Sequence, residues 1–505
     1  MSSTVSEATP APPVPAPLVT DHRRRLVVFG VLMLTMFMAA LDTNIVSTAL
    51  PTIVGEFGEL ERFGWIGSAY LLALSAVMPV YGKLGDLFGR KYVVMAAIVI
   101  FVVGSVACGL AVSIETLIAA RVLQGFGGGG LMVSIFAINA DLFEPRERAK
   151  YQSYTSLNLL VASAIGPMLG GVMSSAFGWR SIFLINVPIG IAALVGLLTL
   201  LPYRRPTRVP SIDYPGAILL ACVTTSIVLW ADSFELFGSL VSPISLGVLA
   251  LGAVAAVIWI FVERRAPEPI VPLGMFRNPT VSLLLIFSIL SGAVAIGLVN
   301  YFALFLQATT GLSPAVAGLL FLFMTGGIAT GSITTGRILS RGGLYKHLAM
   351  ASAALTLTAL LSFAFFGASV PLPVVCFMLL AHGFGIGLAQ QVPIVGVQNA
   401  AARGDVGAAT GTVALTRMAG ASVAISVYGA VLAAHVKDVR LPGVGDLAEV
   451  TPAVLATLPP DAQAAIAATY AGAFNTLFLA AASCSVIAFV IAAMLRPIRL
   501  PTATR

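Results

Sequence analysis

Gly82-Lys-Leu-Gly-Asp-Leu-Phe-Gly-Arg-Lys91, GKLGDLFGRK, is a short polar island between two apolar runs, 64–82 and 92–112. Both runs have the length of about 17 to 20 residues that an α-helix needs to cross a hydrocarbon core, so the island reads as a turn between two membrane-crossing helices. Glycine allows the tight backbone of such a turn. Asp86 suits the cap of a helix N-terminus, and Arg90 or Lys91 can pair with acids on a neighbouring helix. The bland alternative is a basic loop that only sets orientation. Arg121 with Gln124, the Gly166-Pro167 pair and Asp42 elsewhere in the chain weigh against it.

Working outward, further apolar runs fall at 26–50, 116–140, 151–176, 180–202, 214–232, 242–262, 280–308, 314–340, 347–367, 372–398, 405–435 and 470–495, which makes fourteen expected spans. The chain is 58% hydrophobic and only 10% charged, with a mean hydropathy of +0.98 over 505 residues. That composition excludes a soluble globular domain. The net charge of +7 does not point to nucleic acid, because the basic residues come in small clusters separated by apolar runs. When loops are assigned to alternate sides, one side collects 22 of the 28 Lys and Arg and the other only Arg62, Arg180, Lys437 and Arg440. By the positive-inside rule both termini are expected in the cytoplasm. Arg121 and Arg417 remain inside spans.

Gly82-Lys83 recurs as Gly336-Arg337, and Gly89 as Gly343, 254 positions later and after the second helix of a six-helix set. The expected organisation is therefore a tail at 1–21, a six-helix half at 22–205, two extra spans and a linker at 206–275, a second six-helix half at 276–500 and a tail at 501–505. Parallel repeats of this kind build transporters with the site between the halves. The external segment 435–469 is rich in Pro, Ala and Gly, and its AVLATLPPDAQAAIA portion reads as a short helix. The Pro/Ala-rich start lacks the basic region and apolar core of a signal peptide and reads as a disordered cytoplasmic tail. Cys108, Cys222, Cys376 and Cys484 lie apart in apolar segments, which implies neither disulfides nor a metal site.

Leu26 to Leu41 carries no charge, so Asp42 lies roughly 24 Å along a helix starting beside Arg25. A charge at that depth costs roughly 2.5–3.5 kcal/mol, which makes Asp42 a functional candidate. Its best positive partner is Arg121, whose bland reading is a structural ion pair. Arg417 cannot readily deprotonate and could hold an anionic substrate or headgroup. His382 reads as a hydrogen-bonded packing residue, and Asp213 and Asp232 as solvated charges at span ends. Gly166-Pro167 should kink the fifth helix. Asn44, Asn139, Asn158, Asn300, Gln124, Gln307, Gln390 and Gln391, with Tyr70, Tyr301, Phe302 and Trp230, are expected either to bond between helices or to line a largely apolar cavity. The run Gly125–Gly130, GFGGGG, formally fits a dinucleotide fingerprint but lies inside an apolar helix, where small residues permit close packing. Neither a phosphate-binding loop nor an H-E-x-x-H motif occurs, so any pumping must draw on an ion gradient or the membrane potential.

The polar island resembles the G-x-L-a-D-r-x-G-r-k motif of the major facilitator superfamily, matching at Gly82, Leu84, Asp86, Gly89, Arg90 and Lys91 and departing at Gly85 and Leu87. Leu117–Gly125 resembles the superfamily's fourth-helix motif, with Arg121, Gln124 and Gly125 in place. Ala162-Ser-Ala-Ile-Gly-Pro-Met-Leu-Gly170-Gly171 resembles the fifth-helix antiporter motif, with Ala162 where the family has Gly. Leu41–Pro51 resembles the first-helix motif of the fourteen-spanner drug–proton antiporters, with Asn44, Ser47 and Thr48 substituted. Trp179-Arg180…Phe183…Asn186…Pro188…Gly190 and Gly407…Gly411…Arg417…Gly420 complete the likeness.

The resemblance implies an all-helical integral membrane protein of the major facilitator fold: two six-helix halves plus two extra central helices. It further implies a proton-coupled multidrug exporter in the bacterial cytoplasmic membrane, with Asp42 and Arg121 in proton coupling. Gly82, Asp86, Gly89, Arg90, Lys91, Gly166, Pro167, Gly170 and Gly171 would form the conformational switch. The candidate substrate cavity comprises Asn44, Tyr70, Gln124, Asn158, Asn300, Tyr301, Gln390 and Arg417. Expected partners are protons, a lipophilic or amphipathic small molecule and the bilayer, with no cofactor, metal or nucleic acid, and the expected state is a monomer. Two other readings compete: an exporter or flippase of a lipid or lipid-like envelope component, and a non-transporting membrane sensor or scaffold. No nucleophile–base or metal constellation suggests an enzyme.

Overall fold

The computed structural model describes residues 18–57, 63–204, 213–231, 233, 237, 239–310, 312, 314–342, 344–367, 369–401, 403–436, 440–441, 445–446 and 460–496. They form helices α1 (His22–Phe57), α2 (Phe63–Phe88), α3 (Arg90–Gly109), α4 (Ile114–Leu142), α5 (Pro145–Phe177), α6 (Ser181–Leu184), α7 (Asn186–Leu200), α8 (Tyr214–Ala231) and α9 (Pro243–Glu263). There follow α10 (Pro279–Ala295), α11 (Val299–Thr310), α12 (Pro314–Ser340), α13 (Tyr345–Phe366), α14 (Leu372–Gln390), α15 (Val392–Ala400), α16 (Val406–Val436) and α17 (Pro460–Met494). A two-residue antiparallel pair, Arg440–Leu441 with Gly445–Asp446, lies between α16 and α17.

Local signals set the boundaries. Ser113 and Thr116 form a capping box at the start of α4. Asn278 caps α10 through the Thr280 N–H at 3.0 Å, with Pro279 at the first helical position. The turn between α2 and α3 is the single residue Gly89, at φ +91°, which a side chain would strain. Many large apolar residues remain exposed, among them Leu251, Phe365 and Phe377, as expected of helices whose outer surface meets lipid.

Among the described residues, twelve helices are long and apolar enough to cross a membrane. A thirteenth span is α5, bent by 45° between Glu147–Ser163 and Met168–Phe177, across the Gly166-Pro167 pair. The run 280–308, read as one span, is instead the 17-residue α10 and the 12-residue α11. The Gly292 carbonyl accepts both the Ile296 N–H (2.9 Å) and the Gly297 N–H (3.2 Å). That i→i+5 bond widens the turn as a π-bulge does. A second correction concerns the external segment: its Pro-Asp-Ala-Gln-Ala portion is the start of α17 rather than a separate short helix.

Helices distant in the chain pack together within each six-helix set. Helices α2 and α3 lie against α4, α1 against α5, α12 against α14, α13 against α17 and α10 against α16. The first and second six-helix sets meet where α2 packs on α16 and α5 on α12. Helices α8 and α9 pack on each other, and α8 also touches α2 and α16. Arg24 donates to the Leu200 carbonyl (3.2 Å) and Lys91 to the Leu198 carbonyl (2.8 Å). The start of α1, the α2–α3 turn and the end of α7 therefore share one end of the bundle, called the basic end below.

Candidate functional site

Asp42 and Arg121 meet inside the first six-helix set. Asp42 on α1 is 0% exposed and Arg121 on α4 is 2% exposed. The Arg121 Nη1 lies 2.6 Å from the Asp42 Oδ2, making this the only ion pair among the described residues with both partners buried. Gln124, one turn along α4, donates to the Asp42 Oδ1 at 2.7 Å, and Asn186 on α7 donates to the same oxygen at 2.8 Å. The carboxylate is thus held by three side chains from two other helices. Arg121 also donates to the Gln124 Oε1 (2.7 Å) and the Ile66 carbonyl (3.2 Å), and its guanidinium lies 4.1 Å from the Tyr70 ring centroid. The Ser105 hydroxyl accepts from Gln124 (2.6 Å) and Asn186 (2.9 Å), while the Cys108 thiol donates to Gln124 at 3.6 Å. These bonds offset the desolvation of two charges, which an unaided pair rarely does, while the Asn186 Oδ1 and the Tyr70 hydroxyl keep no hydrogen-bond partner among the described residues.

Sequence reasoning singled out Asp42, Arg121, Gln124 and Tyr70, and the structure brings all four together. It missed Ser105, Cys108 and Asn186 as members of this network. Asn186 appeared only within the Trp179–Gly190 motif, and a small uncharged polar residue in a span carries little signal by itself.

The glycine run of α4 explains how the helices come close enough. A Cβ on Gly125 would stand 2.8 Å from the Ala73 Cβ, one on Gly127 2.6 Å from the Phe101 Cα, and one on Gly129 2.7 Å from a Val77 methyl. The run is a packing surface for α2 and α3, as its place inside an apolar helix implies.

The polar island forms a second network at the basic end. Asp86 caps the N-terminus of α16 across the molecule, accepting from the Gly407 N–H (2.9 Å) and the Ala408 N–H (3.1 Å). Arg90 pairs with Asp86 (3.1 Å) and with Asp141 (2.8 Å). A Cβ on Gly82 would collide with the Gly407 backbone, so glycine on both sides permits the α2–α16 crossing. Lys83, 1% exposed, pairs with Glu268 of the linker at 2.6 Å. Neighbouring bonds join α5 to the α14–α15 junction and to α15: Gln391 donates to the Gln152 carbonyl (3.0 Å) and Gln152 to the Gln398 Oε1 (3.0 Å). Neither Lys83 nor Glu268 was among the residues expected to form the switch.

Of the residues expected to line the cavity, Asn158 donates to the Met33 carbonyl (2.8 Å), Asn44 to the Ala40 carbonyl (2.7 Å) and Tyr301 to the Ile425 carbonyl (2.7 Å). Gln390 and Arg417 do share a cavity, separate from Asp42. The side chains of Asn300, Gln307 and Pro167 and all of Asp232 lie outside the described residues. Gly166 sits where a Cβ would stand 2.7 Å from the Asn44 Cβ, but a Cβ on Gly171 would meet nothing within 4 Å. The fifth-helix glycines are therefore not equivalent. His382 is 0% exposed and neither ring nitrogen has a partner among the described residues. It packs on Phe302 (5.1 Å between centroids) without the expected hydrogen bond. Asp213, read as a solvated charge, is only 9% exposed and accepts from the Gly216 N–H (2.8 Å) beside Glu263 of α9. At the opposite end of α1, hydrogen bonds from Arg180 (2.8 Å) and Trp179 (2.6 Å) hold the Glu56 carboxyl below the usual carboxylate range.

Comparison with known proteins agrees with this architecture. The model of the Major Facilitator Superfamily matches residues 32–425. An uncharacterized MFS-type transporter of Mycobacterium tuberculosis is 35% identical over 494 residues, which cover 96% of this chain and 71% of the relative. Multidrug resistance protein 3 of Bacillus subtilis is 32% identical over 410 residues, covering 81% and 79%. Multidrug transporter protein MdtP, also of Bacillus subtilis, is 30% identical over 430 residues, covering 82% and 76%. Among solved structures, the human organic anion transporter MFSD10 superposes with a TM-score of 0.62 at 16% identity, covering 91% of this chain and 99% of that one. The proton:xylose symporter XylE superposes with 0.58 at 15% identity, covering 91% and 95%. At such identities these two establish the fold alone. With the family matched over most of its length, a buried charge network inside its first helices and the facilitator architecture throughout, the chain is a multi-pass membrane transporter of the Major Facilitator Superfamily.

Proposed function

We propose that the chain is a proton-coupled antiporter that exports hydrophobic or amphipathic compounds across the bacterial cytoplasmic membrane. In this reading it has fourteen spans, both termini in the cytoplasm, and the two halves 22–205 and 276–500 rocking about a site between them. The single observation that supports it best is the Asp42 carboxylate, fully buried within α1 and held by Arg121, Gln124 and Asn186. A carboxylate can take up and release one proton, and apolar packing of similar volume is often at least as stable as a buried ion pair, so a charge kept inside a span calls for a function.

A proton arriving at Asp42 would cancel the charge that holds Arg121. The neutral acid keeps its bonds to Gln124 or Asn186, while the guanidinium loses its counter-charge and must move or find another acceptor. Packing of α1 against α5, where Gly166 faces Asn44, would carry that change to the bend in α5. The basic-end network of Asp86, Arg90, Gly407 and Ala408 would open and close in the same cycle.

Sealed proteoliposomes with an imposed pH gradient and a panel of lipophilic dyes of either charge, ethidium among them, test this reading. Gradient-driven movement should occur in the wild type and vanish in Asp42→Asn, with dye binding retained. Equal movement in both proteins would remove Asp42 as the coupling group. Movement of lipid probes but of no dye would replace export of small molecules by lipid export.

A further inference from the structure

The second six-helix set contains no acid within its helices: no Asp or Glu occurs from Pro269 to Gly404 or from Val406 to Lys437, and Asp461 stands at the very start of α17. Arg417 lies in the middle of α16 and so has no carboxylate from its own set. Its Nη2 donates to the Gln390 carbonyl at 2.7 Å, and it forms no ion pair among the described residues. It borders a cavity of ≈ 70 Å³ lined also by Gln390, by Ser291, Ser352, Thr356 and Ser485, and by apolar residues such as Val294 and Ile296; the Ser291 hydroxyl donates to the Ser288 carbonyl (3.0 Å), that of Thr356 to the Ser352 carbonyl (3.0 Å), and the Gln390 Oε1 accepts from Ser332 (3.1 Å).

The position of this cavity gives it meaning. Its walls come from α10, α13, α14, α16 and α17, the first, third, fourth, fifth and last spans of the second set. The Asp42 network draws on α1, α3, α4 and α7, which hold four of those places in the first set, and on Ile66 and Tyr70 of α2. In the first set the space is filled by a carboxylate clasped by arginine, amides and a serine. In the second, Arg417, Gln390 and four hydroxyl residues border open space with no carboxylate among them, and Ile296 of the α10–α11 break stands on its wall. A guanidinium in such surroundings gains most from an anionic oxygen pair, which its planar fork matches. The space is several times the ~10–15 Å³ that one water requires, and its lining is mostly apolar.

We infer that this cavity binds the carboxylate of an amphipathic acid, with Arg417 as its counter-ion and Gln390, Ser291 and Thr356 beside it. The site deepens the transport reading, and rests on it, by naming acids with an apolar body as a class of cargo.

The test is equilibrium binding of radiolabelled dodecanoate to the full chain in phosphatidylcholine nanodiscs, corrected for empty discs, with dodecanol as the uncharged probe. Dodecanoate should bind saturably to the wild type and about tenfold or more weakly to Arg417→Gln. Arg417→Lys should recover part of the loss, and dodecanol should bind both alike. Retention of wild-type dodecanol binding and melting temperature in Arg417→Gln separates loss of the site from misfolding. Undiminished dodecanoate binding in Arg417→Gln, or an equal loss for dodecanol, would overturn the inference. Asp42→Asn distinguishes the two readings: it should abolish gradient-driven dodecanoate movement while binding dodecanoate normally. Gradient-driven movement with no effect of Arg417→Gln on binding would sink the site and leave transport standing. Arg417-dependent binding with no gradient-driven movement would sink the cargo claim and leave the site.

Discussion

At the scale of single residues, one ion pair organises the first half of the chain. Arg121 reaches Asp42, Gln124 and the Ile66 carbonyl at once, which a planar fork with several donors can do and a lysine ammonium cannot. Arg121→Lys should therefore keep the fold and lose at least about tenfold in gradient-driven export, since it forfeits charge-assisted bonds worth roughly 1.5–3 kcal/mol each. Arg121→Ala leaves Asp42 buried without its counter-charge and should cost about 3–5 kcal/mol of stability, read as a lower melting temperature in detergent. Gly89→Ala should cost about 1–2 kcal/mol through its left-handed backbone alone. Because the new methyl would also stand 2.7 Å from the Tyr203 ring, Tyr203→Ala should restore only part of that loss. Asp42 and Arg121 were legible in the sequence because a charge deep in an apolar run is expensive. Ser105 and Asn186 were not, since a hydroxyl or amide in a span usually finds a local carbonyl and marks no site.

At the scale of helices, glycine means different things at different positions. Gly127 lies where a side chain would press into the Phe101 backbone, whereas a methyl on Gly171 would enter open space. Gly127→Ala should therefore lower the melting temperature. Gly171→Ala should leave it unchanged or raise it, by up to about 1 kcal/mol of helix propensity. Opposite shifts in one thermal-denaturation series would bear out that assignment, and equal losses would contradict it. The bend in α5 was legible from Gly166-Pro167, because proline removes a donor and crowds the preceding turn. The break between α10 and α11 was not. It depends on the Gly292 carbonyl taking two N–H donors, and Gly292 and Gly297 look like ordinary small residues in a run that is apolar from end to end.

At the scale of the whole molecule, the two helix sets are fastened at the basic end by short polar contacts on glycine-lined crossings. Asp86 accepts the N–H groups of Gly407 and Ala408, so Asp86→Asn should speed hydrogen exchange at those two amides several-fold and leave those of α3 unchanged. Unchanged exchange at Gly407 would place their protection elsewhere. The sequence revealed the repeat and the basic loops, because both are local patterns. It did not reveal that Asp86 caps a helix more than 300 residues away, or that Lys83 meets Glu268 in a proline-rich linker. Those pairings depend on which helix ends the fold brings together, and composition is silent on that.

The central claim is that Asp42 exchanges a proton as cargo moves, and it is tested most directly without any gradient. An exported compound is added to purified protein in weakly buffered detergent solution near neutral pH, and released protons are followed with a pH indicator. The account predicts proton release from the wild type that saturates with the compound and disappears in Asp42→Asn, while the compound still binds. Release of the same size from both proteins would contradict it.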